Sequence, residues 1–158
     1  MKLTGKKTTV IMAVVLAALM TAGCASPGDR SDGGTTANDV DYVLVNDDML
    51  DEETMDKIEQ IKDKKGYGII KKDDCFYYIY IGMGEKRTGG YDVEIISVKA
   101  VDGKIKILVE EIEPDKDDAV IQVITYPFQV LRIEKEYSGD IVVVNGSDEE
   151  YEAISDLI

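Results

Sequence analysis

The feature that most constrains the fold is a change of apolar periodicity at Gly66. Beyond this residue, apolar side chains occur in short runs with the period of two that is typical of β-strands with one buried face. Because no helical segments separate these runs, we expect a mainly antiparallel sheet. With one further strand ahead of a helix, the predicted strands cover residues 42–45, 68–71, 76–81, 91–98, 104–110, 119–126, 128–134 and 141–144.

The predicted strands differ in their boundaries and in their expected place in the sheet. Asp102-Gly103 predicts a tight hairpin turn between the runs that flank it. Pro127 cannot donate a hydrogen bond to a β-ladder, so it predicts a bend or an edge position. The run at 76–81 carries no charge, and an uncharged edge strand is prone to aggregation. This strand is therefore predicted to lie inside the sheet.

Two helices are predicted, one near each end of the folded region. An amphipathic helix is expected at 49–65, with Asp47 or Asp48 as its N-cap. Ser147 and Glu150 form a capping box ahead of a short C-terminal helix. The expected fold is thus mainly β, either a β-sandwich or a partly open barrel, mostly antiparallel, with one N-terminal helix and a short C-terminal helix.

The N-terminus has the order of a bacterial lipoprotein signal. Three lysines precede an uncharged apolar run at 10–20, which is too short to span a bilayer as a helix. Small residues lead directly into Cys24, as a lipoprotein signal peptidase requires; the alternative is an ordinary signal peptide that happens to contain this cysteine. We predict a signal peptide at 1–23, lipidation of Cys24 on the extracytoplasmic face of a membrane, a flexible tether at 24–40 and one folded domain at 41–158.

Charge and residue content argue against several functions. The 18 basic and 32 acidic residues give a formal net charge of −14, which argues against nucleic-acid binding and against a body lying flat on anionic lipid. The sequence contains no histidine, which removes Ser-His and Cys-His nucleophile pairs and His-liganded metals. An Asp-rich stretch at 115–118 lacks the spacing of a calcium loop. We expect no enzyme activity, cofactor or metal, and a buried, unreactive thiol at Cys75.

Residues 82–91 form the most distinctive loop of the sequence. Gly84 and Gly89 have the spacing of a phosphate loop, but the Lys-Ser/Thr pair is missing and a strand follows, so nucleotide binding is rejected. Two interpretations stay open. The loop is either a wide structural hairpin whose glycines allow close backbone approach, or an exposed recognition loop in which Lys86 and Arg87 form a basic pair on an acidic protein.

Three segments, in the same order, resemble the PrcB C-terminal domain family. Residues 80–95 supply a strand, a glycine and a Thr-Gly-Gly-Tyr loop followed by an alternating strand. Residues 110–114 supply an acidic segment that ends in Glu-x-x-Pro, and residues 125–130 supply a Thr-Tyr-Pro-Phe-x-Val stretch. The resemblance covers residues 78–133, and Arg87 stands where the family usually has proline.

The resemblance implies a non-catalytic accessory protein, because the family is named for a lipoprotein subunit of a surface protease complex. The implied partner is an envelope or secreted protein, such as an extracellular or membrane-associated protease. The candidate partner-binding residues are Lys86, Arg87, Thr88, Gly89, Gly90, Tyr91, Tyr126, Pro127 and Phe128.

The loop also bears on an alternative function. Residues 87–91 resemble the Thr-Thr-Gly-Tyr loop of chagasin-like cysteine-peptidase inhibitors, so a peptidase inhibitor is the second interpretation. In either case we expect Gly89 and Gly90 to be structural, Tyr91 to pack inward, and residues 86–88 to lie at a solvent-exposed tip. A small enzyme or ligand carrier is the least favoured class.

Overall fold

A computed structural model describes residues 37–137 and 139–157, which form a mainly β structure with one α-helix. The predicted signal peptide, Cys24 and most of the predicted tether lie outside the described residues. The helix α1 spans Glu52–Ile61. The strands are β1 (Asn38–Asp39), β2 (Tyr42–Leu44), β3 (Lys65–Lys72), β4 (Phe76–Met83), β5 (Asp92–Val101), β6 (Lys104–Ile112), β7 (Phe128–Glu134) and β8 (Asp140–Asn145).

The described strands form two four-stranded sheets and do not close into a barrel. The first sheet has the order β1-β5-β6-β8, and the second has the order β2-β7-β4-β3. The pairings are antiparallel except for β6 with β8, which run parallel. The expectation of a mainly β, mostly antiparallel fold is confirmed.

Both sheets contribute to one apolar core. Ile81 of β4 and Leu131 of β7 belong to the same buried cluster as Ile107 of β6. A second cluster lies on the other face of β4, where α1 packs Ile58 against Tyr80. Successive side chains of a strand point to opposite faces, so Tyr80 and Ile81 necessarily serve different clusters. The helix is therefore anchored on the second sheet.

Several local expectations match the structure. The uncharged strand β4 lies between β7 and β3, as its lack of charge predicts. Asp102 and Gly103 both have positive φ, 51° and 75°, which is the geometry of a tight hairpin turn. Val40 is only 3% exposed, and the preceding residues of β1 pair with β5. The folded chain thus includes residues that were assigned to the tether.

The predicted strand at 119–126 is wrong. This segment belongs to neither sheet, and only Thr125 forms an isolated β-bridge, with Lys86. Three of its apolar side chains are exposed: Ile121 by 70%, Val123 by 46% and Ile124 by 54%. High β-propensity was counted as evidence for a strand, although these apolar residues do not alternate with polar ones.

The helix begins later than predicted, and its cap is a different aspartate. Asp47–Met49 form a single 3₁₀ turn, and Asp51 is the N-cap of α1. The Asp51 carboxylate accepts a hydrogen bond from the backbone N–H of Thr54 at 2.9 Å and also contacts Lys71 Nζ. A carboxylate bonded to both groups satisfies a free helical N–H group and places a charge favourably at the helix N-terminus.

Cys75 is exposed, so the expectation of a buried thiol is wrong. This cysteine lies one residue before β4, in a turn that Asp73 organises. The Asp73 carboxylate accepts hydrogen bonds from the backbone N–H groups of Cys75, at 2.9 Å, and Phe76, at 2.7 Å. Cys75 therefore belongs to this turn and not to β4, and its side chain is exposed.

The C-terminal segment follows an extended path where a short helix was expected. Its only described helical turn is 3₁₀, at Ser155–Leu157. Glu150 makes a β-bridge with Val144 of β8, and Ala153 makes one with Tyr67 of β3. The segment thus touches one strand of each sheet. Between these bridges the Tyr151 ring is buried.

A polar cluster secures the C-terminal segment. Glu111 Oε1 accepts a hydrogen bond from Tyr151 OH at 2.8 Å and forms an ion pair with Lys65 Nζ at 2.6 Å. Partial burial alone would raise the pKa of Glu111, but the hydrogen bonds from Lys65 and Tyr151 outweigh it, so the pKa is lowered. The ionised carboxylate is therefore the form that stabilises the fold.

We predict that Glu111→Gln lowers the free energy of unfolding by about 1 kcal/mol at pH 7, because the ion pair with Lys65 is lost. The folded pKa of Glu111 is lowered, so its contribution is complete above the unfolded pKa and disappears as the pH falls through the folded value. Urea denaturation at pH 7 and pH 2.5 measures this difference. Glu110→Gln, at the exposed neighbouring position, is the control. Equal losses for both variants would contradict the prediction.

Candidate partner-binding surface

The Thr-Gly-Gly-Tyr loop is joined by hydrogen bonds to the segment that was predicted as a strand. We call residues 84–91 the signature loop and residues 121–125 the apolar arch. The backbones of Lys86 and Thr125 exchange two hydrogen bonds of 2.9 Å. Gly89 N donates to Ile121 O at 3.0 Å, and Thr125 Oγ1 donates to Thr88 O at 2.9 Å. The loop therefore holds both ends of the arch.

Two glycines of the signature loop are structural, as expected. A Cβ on Gly89 would lie 2.9 Å from Cγ1 of Ile121, so glycine permits the close approach of the arch. Gly90 has a φ of +93° and would place a Cβ 2.9 Å from Cβ of Pro114. A side chain at Gly90 would meet both backbone strain and a steric conflict, because L-residues rarely adopt this φ.

The basic pair of the loop is only partly at the tip. Arg87 is exposed, whereas Lys86 and Thr88 are half-buried. Lys86 Nζ lies 4.9 Å from the centre of the Tyr91 ring. That ring is itself half-buried and packs against the first core cluster, as expected from its place at the start of the predicted strand 91–98. A cation held over an aromatic ring keeps its charge at a fixed place on the surface.

The Tyr126-Pro127-Phe128 bend lies beside the signature loop. Pro127 O accepts a hydrogen bond from Met83 N, the last residue of β4, at 2.9 Å. The Phe128 ring stacks on the buried Tyr80 ring with 5.5 Å between centroids, so Phe128 is part of the core. Tyr126 stays half-buried, with Lys62 Nζ 4.7 Å from its ring. The fold thus brings both sets of candidate residues to one end of the molecule.

Sequence reasoning missed the apolar arch as part of this surface. Ile121, Val123 and Ile124 are exposed beside the candidate residues, yet they had been assigned to a half-buried strand. The signal that could have revealed them is the pattern Val-Ile-Gln-Val-Ile at 120–124, in which apolar residues occur in adjacent pairs. Such pairs cannot all face one side of a strand, so a strand with only one buried face would leave some of them exposed.

Further features of the described chain include a cavity and a buried tyrosine hydroxyl. A cavity of about 650 Å³ lies between α1 and β3 and is lined by charged groups that include Asp51, Lys57 and Lys71. Burial raises the pKa of Tyr80, whose hydroxyl has no hydrogen-bond partner among the described residues. Within residues 37–137 and 139–157, no three His, Cys, Asp or Glu side chains come together as metal ligands. The same residues contain no helix with the length and apolarity needed to cross a bilayer.

The class defined by these features is a mainly β domain whose glycine loop supports an exposed apolar segment. Residues 77–134 match the sequence profile of the family described as PrcB C-terminal, and this confirms the resemblance. The match runs from β4 to the end of β7 and includes the whole signature loop, the arch and the bend. No curated protein and no solved structure matches the chain.

We predict that Gly90→Ala lowers the free energy of unfolding by about 1–2 kcal/mol, because alanine at a φ of +93° is strained and would crowd Pro114. Urea denaturation measures the loss. Gly146→Ala is the matched control, since a Cβ there has nothing within 4 Å and the φ of Gly146 is not in the left-handed region. A variant at Gly90 as stable as the control would show that the loop backbone relaxes without cost.

Proposed function

We propose that this chain is a non-catalytic lipoprotein of the bacterial envelope that binds another envelope or secreted protein. Within that role, we propose that it is an accessory or stabilising subunit of a protease complex. The observation that carries the proposal is the match of residues 77–134 to the PrcB C-terminal family, together with the surface that those residues build. On that surface, apolar side chains that a monomer would normally bury are held in solvent beside a basic pair.

Charge supports binding to a protein. The chain is strongly acidic, with a net charge of −14, yet Lys62, Lys86 and Arg87 lie at the end that carries the arch. Two of these cations are held over tyrosine rings, which fixes their positions. An apolar centre with charged residues at its margin is the usual composition of a protein interface. The charged residues at the margin of an interface mainly control the rate and the specificity of association.

The proposed architecture is a β-sandwich formed by the two sheets. Its support is the single buried cluster to which both sheets contribute, including Ile79 and Ile133 from one sheet and Val98 and Val143 from the other. In such a fold, recognition surfaces are typically loops at one end, supported by rigid strands. The signature loop and the arch would form one such end.

A peptidase inhibitor remains the second proposal, on the resemblance of residues 87–91 to an inhibitor loop. The geometry favours it less. Gly89 is buried beneath Ile121, and the Thr88 carbonyl already accepts a hydrogen bond from Thr125, so this part of the loop is covered. Inhibition of cysteine peptidases by the purified chain would favour the inhibitor over the accessory subunit.

We predict that Lys86→Glu combined with Arg87→Glu weakens association with the partner by roughly tenfold at low salt, equivalent to about 1.4 kcal/mol, and less at high salt. The measurement is recovery of associated proteins from detergent-solubilised membranes, identified by mass spectrometry. Stability should fall by no more than about 1 kcal/mol, since the cation–π contact of Lys86 with Tyr91 is lost while the backbone hydrogen bonds of the loop stay in place.

The control for this experiment is Lys99→Glu combined with Lys106→Glu. These two lysines are exposed cross-strand neighbours on the first sheet, and reversing them makes the same change of net charge at positions outside the signature loop and the arch. The same partner should be recovered with the control as with the unaltered chain. If the Lys86 and Arg87 variant recovers the partner equally well, the basic pair has no part in recognition.

We predict that Cys24→Ser leaves the precursor uncleaved by the lipoprotein signal peptidase and without acyl label, because that peptidase acts on a lipid-modified cysteine. Metabolic labelling with a fatty acid and the electrophoretic mobility of the precursor test this directly. Cys75→Ser is the control, since Cys75 is the only other cysteine of the chain and should not affect labelling. Normal labelling of the Cys24 variant would reject the lipoprotein proposal.

A further inference from the structure

The apolar arch is exposed in both its side chains and its backbone. Ile121, Val123 and Ile124 keep between 46% and 70% of their surface accessible. The N–H groups of residues 122–124 donate to no backbone carbonyl of the described chain, since only the two ends of the arch are bonded to the signature loop. Exposed apolar residues with unpaired backbone are what another extended segment can pair with.

The two ends of the arch carry opposite charge. At the Thr125 end lie Lys86, whose backbone pairs with Thr125, and the exposed Arg87. Beyond the Ile121 end lies an exposed turn in which Asp118 N donates to Asp115 O at 3.0 Å. That turn also contains Asp117, so it is acidic in spite of one lysine. In the order of the chain, this surface therefore has an acidic end, an apolar centre and a basic end.

A surface with this order is complementary to itself. A two-fold rotation about its centre places the basic end of one copy against the acidic end of the other and brings the two apolar centres together. We propose that the apolar arch is a contact between two copies of this chain, arranged antiparallel about Val123. The contact goes beyond the proposed function, because it needs only a second copy of the chain and no other protein.

Charge favours a second copy over a lipid surface. An anionic membrane would attract Lys86 and Arg87 but would repel the acidic turn at the opposite end of the same surface. The second copy satisfies both ends at once. Repulsion between two strongly acidic chains acts over longer distances and is screened beyond about 8 Å at physiological ionic strength.

The contact is small, so it should be transient. Stable interfaces bury roughly 800 Å² on each partner, whereas the arch offers three apolar side chains and its charged ends. A chemical trap therefore measures it better than sedimentation does. Val123 lies at the middle of residues 121–125, so its side chains from two copies would meet near the two-fold axis.

The experiment uses the full chain in its own membranes, with Cys75→Ala in every variant to remove the other exposed thiol. Val123→Cys is expected to give a disulfide-linked species of twice the chain mass under mild oxidation. The control is Ile96→Cys, because Ile96 is 47% exposed on the first sheet and Val123 is 46% exposed. A crosslink at both positions, or at neither, would overturn the proposal.

Charge exchange then tests the antiparallel arrangement. Lys86→Glu with Arg87→Glu, or Asp115→Lys with Asp117→Lys, each pair added to Val123→Cys, should reduce the crosslinked fraction at least threefold, because either pair gives both ends of the contact the same sign. All four changes in one chain should restore it, since both ends are then reversed. If the fourfold variant stays as low as the paired ones, the copies do not meet in this orientation, and the proposal fails.

The outcomes separate this contact from the proposed function. The fourfold charge variant should regain the crosslink between copies but not the association with a different protein, whose surface is unchanged. A crosslink between Val123→Cys and a different protein, without the species of twice the chain mass, would overturn the contact between copies and leave the accessory role standing. Loss of both would reject the arch as a binding element.

Discussion

The structure depends on β4 being buried on both faces. Ile79 and Ile81 point into the cluster that both sheets share, and Tyr80 between them points into the cluster beneath α1. The same strand is paired on both edges, with β3 and with β7. Its end leads directly into the signature loop, so the position of that loop is set by the most constrained strand in the described chain. A recognition element needs this kind of rigid support if its geometry is to be reproducible.

Features that depend on local chemistry were predictable from the sequence. The lack of charge in 76–81 placed β4 inside its sheet, the Asp102-Gly103 pair gave the hairpin turn, and Phe128–Glu134 has the predicted bounds. The family resemblance likewise depended on motifs that can be read in order along the chain. In each case the residues that decide the outcome are neighbours in sequence.

Features that depend on distant partners were not predictable. The arch has the composition of a strand, but whether it enters a sheet depends on which backbone reaches it, and the signature loop binds only its ends. The sequence predicted Asp47 or Asp48 as the helix cap and placed Asp51 within the helix. The choice of Asp51 is tied to Lys71 on β3, a contact that no local pattern encodes. The exposed arch was therefore invisible until the fold was known.

The order in which the paired strands occur along the chain affects how this protein folds. The early strand β2 pairs with the late strand β7, and residues 150–153 bridge β8 and β3. Neither sheet is complete until nearly the whole chain is present, and contacts between distant segments form slowly because the intervening loop must first close. A nascent chain of this kind therefore cannot complete its core until β7, β8 and residues 150–153 have been synthesised.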